Sequence, residues 1–280
     1  MIKKILVALD PDSDTPIATR YAVEIAQRYQ STITGLAVVD MGHIEADTRG
    51  GGIGSMYFAE KLRDRLTTET RDVAQELLKN FEGAMKDTGI EFGEVVEEGV
   101  PFQRIVEDMK YHDLLIVGRD PHFFYSHPKE KTDTLARVVK GMIAPTLVVG
   151  DRYQPINRVL VTYDASDASV RAMRSFCLYS PFGHDIEVEI FHVLKKGDEA
   201  ESELMLEHAR SYLATYGFNG QTKLVVGNDI NKEIIERART HKSDLIVAGA
   251  HSVSKIRKVA FGSTTSALLK DCPIPLFLDH

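Results

Sequence analysis

At 280 residues the chain has room for two domains of ordinary size, and its 43 % hydrophobic and 27 % charged residues are those of a folded globular protein rather than a disordered or fibrous one. A formal charge of −7 argues against an extended nucleic-acid-binding surface, and two cysteines, Cys177 and Cys272, are too few for a disulfide framework or a cysteine-rich zinc site. No apolar run reaches the ~18 residues that cross a membrane, and Met1-Ile2-Lys3-Lys4 leads straight into a strand-like segment, so a cytoplasmic protein without membrane attachment is expected.

In chain order, the apolar runs predict strands at 4–9, 32–39, 91–97, 113–118 and 145–150, then at 157–163, 185–194, 221–226, 244–249 and 274–279, with helices in the gaps. The runs are continuous rather than alternating, as in strands covered on both faces. The clearest helix is 57–88, where Leu62, Leu66, Val73, Leu77, Phe81 and Met85 recur at helical spacing and form a core-facing stripe. Strands alternating with helices imply parallel, doubly wound sheets.

The two series are one series repeated. Lys4-Ile5-Leu6-Val7-Ala8-Leu9-Asp10 returns as Arg158-Val159-Leu160-Val161-Thr162-Tyr163-Asp164, Asp113–Gly118 as Asp244–Gly249, and Ala144–Val149 as Ile274–Leu278, in the same order. The fold expected is therefore α/β, two tandem doubly wound domains of five parallel strands, spanning residues 1–151 and 156–280, with a polar join ending at Pro155. Pairing of Thr146–Val149 with Leu276–Leu278 within one chain would cover two sheet edges; further homodimerisation is left open. The first half carries an insertion containing Gly50-Gly51-Gly52-Ile53-Gly54. It lacks the lysine and spacing of a Walker A loop, and reads as a linker before the long helix or as a lid or partner-binding loop.

Ligands of doubly wound sheets bind beyond the carboxyl ends of the strands, where strand order reverses. That places Asp164 and Gly249 at a crevice in the second half, and Asp10 and Gly118 at one in the first. After Gly249 come Ala250, His251 and Ser252, a nine-residue stretch, then Gly262-Ser263-Thr264-Thr265 opening a helix. A strand-end glycine admits close approach of a ligand, and a helix start with free N–H groups and hydroxyls suits phosphate. Lys255, Arg257 and Lys258 lie in the intervening loop and could meet outer phosphates. His112, His122 and His127 form no recognised metal-ligand set, and Cys177 reads as a buried small apolar residue.

At these residues the second half resembles the ATP-binding members of the universal stress protein family, which are adenine nucleotide alpha hydrolase-like in fold and carry Gly-x2-Gly-x9-Gly-Ser/Thr here with an aspartate ending the first strand. The resemblance covers nearly the whole chain. It implies that ATP or AMP, with Mg as an optional companion ion, is held by Asp164, Ala165, Val193, Gly249, His251, Ser252, Gly262, Ser263, Thr264 and Thr265, with Val193 of the His192-Val193 pair against the adenine. Ser252 departs from the pattern, standing where the second glycine is expected. In the first half Pro121 takes that place, and Thr132-Asp133-Thr134-Leu135 replaces the Gly-Ser helix start, bringing a carboxylate where phosphates would go.

The family resemblance implies a stress-response regulator or adaptor with an adenine nucleotide, an unknown protein partner and at most slow ATP hydrolysis, since no Walker A lysine, paired metal carboxylates or general base is evident. Two other readings remain open: a scaffold of the same fold without nucleotide, and an adenylate hydrolase, whose Ser-Gly-Gly-x-Asp-Ser loop Asp164-Ala165-Ser166-Asp167 does not reproduce. One nucleotide per chain, in the second half, is the expectation.

Overall fold

The computed structural model describes residues 1–47, 55–119, 134–250 and 263–280. The chain divides into two compact units, one of Lys3–Gly141 and one of Met142–His280 with Met1–Ile2.

The first unit runs β1 (Lys4–Leu9), α1 (Asp14–Tyr29), β2 (Thr32–Asp40), α2 (Met41–Asp47), α3 (Ser55–Met85), β3 (Phe92–Gly99), α4 (Pro101–Met109), β4 (Leu114–Gly118) and α5 (Thr134–Gly141). Its strands lie in the order β3-β2-β1-β4, all parallel. The second unit contains β5 (Thr146–Val149), β6 (Arg158–Thr162), α6 (Asp167–Tyr179), β7 (Glu187–Leu194), α7 (Glu199–Thr215), β8 (Gly220–Val226), α8 (Ile230–His241), β9 (Leu245–Gly249), α9 (Ser263–Asp271) and β10 (Leu276–Asp279). Its order is β5-β10-β9-β6-β7-β8, parallel except for β5 against β10. The fold is thus α/β with parallel, doubly wound sheets, and each expected strand is present.

Central strands are apolar on both faces: every residue from Ile5 to Leu9 in β1 is fully buried, as are Val159, Leu160 and Val161 in β6. The antiparallel register Leu276↔Val148, Phe277↔Leu147, Leu278↔Thr146 joins the last strands of the two repeats within one chain. Helix ends follow local chemistry. Ser166, Asp198 and Asp229 cap α6, α7 and α8 through their side chains, and Pro101 opens α4 at a position where a missing N–H costs nothing.

The predicted helix over 57–88 is α3, with Leu66, Leu77, Phe81 and Met85 buried. Leu62, read as part of the same stripe, is 44 % exposed, and Tyr57 and Phe58 are more so. The reason is length. At 31 residues α3 runs about 46 Å, whereas the nine residues of β2 beneath it extend only about 30 Å, so the first turns have no sheet to cover. Helix α2 was not expected from the sequence. The Gly50–Gly54 run lies outside the described residues, as do His122 and His127. His112 is fixed structurally: its ring bonds the Asp108 carbonyl at 2.7 Å and the Thr34 hydroxyl at 3.0 Å.

A part-buried ion pair ties α8 to β7. Glu189 on β7 is 4 % exposed and is gripped by both Nε and a terminal nitrogen of Arg237, with Nε to Oε1 at 2.6 Å. That hydrogen bond raises the Arg237 pKa further.

Candidate functional site

In the second unit β6 has β7 on one side and β9 on the other, so strand order reverses between β6 and β9. The carboxyl ends of these two strands frame an open cleft with a free volume of about 180 Å³. One wall is apolar, made by Phe191 and Val193 of β7 and Ile230 and Ile234 of α8. The other is polar, made by Asp164, Ser166, Ser169 and Thr264.

The polar wall is built by a turn that folds on itself. Past the end of β6 the Tyr163 N–H donates to the Phe191 carbonyl at 2.9 Å, and the Thr162 hydroxyl donates to the Val247 carbonyl at 3.1 Å, tying β6 to β9. Asp164 Oδ1 then accepts the Ser166 N–H at 3.0 Å, while the Asp164 N–H donates to Ser169 Oγ at 3.4 Å. Between them Ala165 takes φ +57°, a left-handed conformation that costs about 1 kcal/mol outside glycine. Ser166 Oγ accepts the Ser169 N–H at 3.3 Å and starts α6. Asp164 is therefore a turn-former as well as an exposed carboxylate at the cleft rim.

His192 also lines the cleft. Its Nδ1 is 2.8 Å from the Tyr163 carbonyl, which can only accept, so Nδ1 carries the hydrogen and Nε2 is left as an acceptor in the neutral ring. Burial, then the Asp164 charge, raise the Tyr163 phenol above its ordinary pKa.

Gly249 is required by packing. A Cβ there would stand 2.5 Å from the Ala168 carbonyl carbon and the Ser169 nitrogen, so β9 and the start of α6 touch through backbone. Its missing side chain thus admits a helix first, and the cleft inherits the space. Thr265 shows a similar shift of role. It reaches the cleft, but it is 2 % exposed and its hydroxyl donates to the Gly249 carbonyl at 3.1 Å, fastening α9 to β9. Thr264, beside it, is half-buried on the cleft wall.

Of the expected site residues, Asp164, Val193, Gly249, Thr264 and Thr265 come together around this cleft. Ala165 sits in the supporting turn and is exposed, and Ser263 opens α9. His251, Ser252, Gly262 and the basic Lys255, Arg257 and Lys258 lie outside the described residues. Sequence reading missed Ser166, Ser169, Ile230 and Ile234. The two isoleucines carried a signal, an i, i+4 pair one residue after the capping Asp229, whose side chain accepts the Lys232 N–H at 3.1 Å. Among the described residues no group of three or more His, Cys, Asp or Glu side chains could hold a metal ion, and no helix is long and apolar enough to cross a membrane.

Residues 1–149 and 155–279 each match the model of the universal stress protein family. The chain belongs to that family. A universal stress protein of Synechocystis sp. is 26 % identical over 285 residues, covering 98 % of this chain and 99 % of the relative. A universal stress protein structure from Archaeoglobus fulgidus superimposes with a TM-score of 0.69 at 16 % identity, covering 98 % of this chain and 97 % of that one. A putative universal stress protein from Pseudomonas aeruginosa gives 0.65 at 14 %, with 99 % and 92 % covered. At these identities the structural likeness is one of fold.

Within this universal stress protein the first half repeats the turn with different contents. Asp10 Oδ1 accepts the Asp12 N–H at 2.8 Å, and the Asp10 N–H donates to Thr15 Oγ1 at 2.9 Å, as Asp164 and Ser169 do in the second half. Counting from these aspartates, Asp14 stands where the second half has Ala168. A Cβ on Gly118 would lie 2.7 Å from Asp14 Cβ, so the same close packing holds. The Asp14 carboxylate then reaches past Gly118 and accepts the Arg119 N–H at 2.9 Å.

Proposed function

We propose that this tandem universal stress protein binds an adenine nucleotide, ATP or AMP, in its second half, and acts as a nucleotide-dependent regulator or adaptor in a stress response. The observation that carries the reading is the cleft between the ends of β6 and β9. It joins an apolar wall that includes Val193 and Ile230 to hydroxyl groups and the start of α9. In this reading Asp164 and the Ala165 backbone meet the nucleoside at the rim. Gly262, Ser263 and Thr264 hold phosphates, and His251 and Ser252 complete the loop, with Mg as an optional companion. Thr265 acts by holding α9 in place.

The reading assigns no general base, so binding with at most slow hydrolysis is the activity proposed. The first half, with Pro121, Asp133 and Asp14, is read as a scaffold domain of the same fold, the repeat boundary falling between residues 151 and 156. A protein partner and a cytoplasmic location accompany the regulator role.

Equilibrium titration of nucleotide-stripped protein with ATP and AMP tests this. One equivalent per chain is expected, lost in Gly262→Asp and retained in Asp133→Asn. Absence of binding at millimolar ATP would refute the proposal, and equal loss from both variants would refute the single site.

A further inference from the structure

The two halves share a fold and a turn, but the charge at their crevices differs. At the end of the first-half sheet stand Asp10, fully buried, Asp40, 2 % exposed, and Asp14, 6 % exposed. By strand register the corresponding positions of the second half hold Asp164, Lys195 and Ala168. Asp40 and Asp14 thus add two buried carboxylates to the aspartate the halves share; Lys195 is exposed and does not line the cleft. Of the three positions, Asp10 is matched by Asp164 and makes the same turn. Asp40 ends β2, whereas Asp14 sits at the first turn of α1, packed against the strand-end glycine between β1 and β4.

We propose that the Asp14 carboxylate is sufficient by itself to bar an anionic ligand from a crevice of this fold. In the first half it acts alongside Pro121 and Asp133 in keeping nucleotide out. Its position supplies the means. The carboxylate is held at the positive end of α1 and by the Arg119 N–H at 2.9 Å. It sets a negative charge against any phosphate, in a place largely screened from water. In the second half the same packing position ends at the Ala168 methyl, beside Gly249 on the cleft wall.

The inference rests on reading the second half as a nucleotide site, and transplanting the residue tests the two separately. Full-length protein stripped of nucleotide is titrated with ATP as wild type, Ala168→Asp and Ala168→Asn, each normalised to its folded fraction by circular dichroism. Asparagine has nearly the shape of aspartate without its charge. Wild type should bind one equivalent, Ala168→Asn should stay within about threefold of it, and Ala168→Asp should weaken by at least about tenfold. Wild-type affinity in Ala168→Asp would overturn the inference, and so would equal weakening in both variants, which would assign the effect to volume. An unfolded Ala168→Asp beside a folded Ala168→Asn would overturn it too, since the carboxylate would then not be transferable. If wild type itself fails to bind, the nucleotide reading falls first and this inference with it.

Discussion

Gly249 shows how a residue can be marked by sequence for one reason and kept for another. Its spacing to Gly262 suggests a phosphate loop, yet the structure spends the missing side chain on contact with the α6 backbone at 2.5 Å. Backbone cannot yield as a side-chain end can, so Gly249→Ala should destabilise the protein by about 1–3 kcal/mol in urea denaturation. Its nucleotide affinity should drop as well, because α6 carries Ser169. Unchanged stability would mean that the contact relaxes freely. Cys177 makes the complementary case of an inert residue. Burial pushes its thiol from 9.0 up to about 12. An acid whose pKa is raised on folding stabilises the fold below its unfolded pKa, so this contribution is present at neutral pH and is lost as pH rises from about 9 to about 12. In native protein at pH 8 iodoacetamide should leave Cys177 unmodified, and urea should expose it; rapid native labelling, read by mass spectrometry, would contradict the burial.

At the scale of elements, α8 both walls the cleft and depends on a charge pair for its place. Glu189 is buried on β7 between Val188 and Ile190, and Arg237 compensates it. Removing one partner leaves a buried charge, so Arg237→Ala should cost about 3 kcal/mol or more, while Glu189→Leu with Arg237→Met should be close to neutral. Chemical denaturation of the three proteins checks this, and a mild effect of Arg237→Ala would show that water reaches Glu189. Helix α3 carries the opposite lesson. Its apolar period continues into turns beyond the length of β2, and Phe58 stays 73 % exposed.

For the whole molecule, the compact unit and the repeat do not begin at the same residue. The repeat starts after the join, whereas the compact unit starts at Met142 and includes β5. The reason is the edge of β10: Leu276, Phe277 and Leu278 are fully buried, and β5 pairs with them. A fragment of residues 142–280 should therefore be more stable than one of 156–280, because it keeps the pairing of β5 with β10. The shorter fragment should self-associate through the bared strand. Equal urea midpoints for the two would show that β5 contributes little to this unit.

Much of the fold was legible in the sequence because its signals are local. Continuous apolar runs mark doubly covered strands, helical spacing marks α3, and the recurrence of Asp10 as Asp164 and of Gly118 as Gly249 exposes the repeat and the crevice. The sequence determined the strand order's raw material, the family and the position of a candidate site. Tertiary structure decided which of those residues line the cleft and which pack within the protein. It turned Gly249 and Thr265 toward packing, brought Ile230 and Ile234 to the cleft from a separate helix, and set Asp14 against Gly118. Those outcomes depend on which elements meet in space, over separations of up to more than a hundred residues. A short-range pattern carries no record of a contact made that far along the chain.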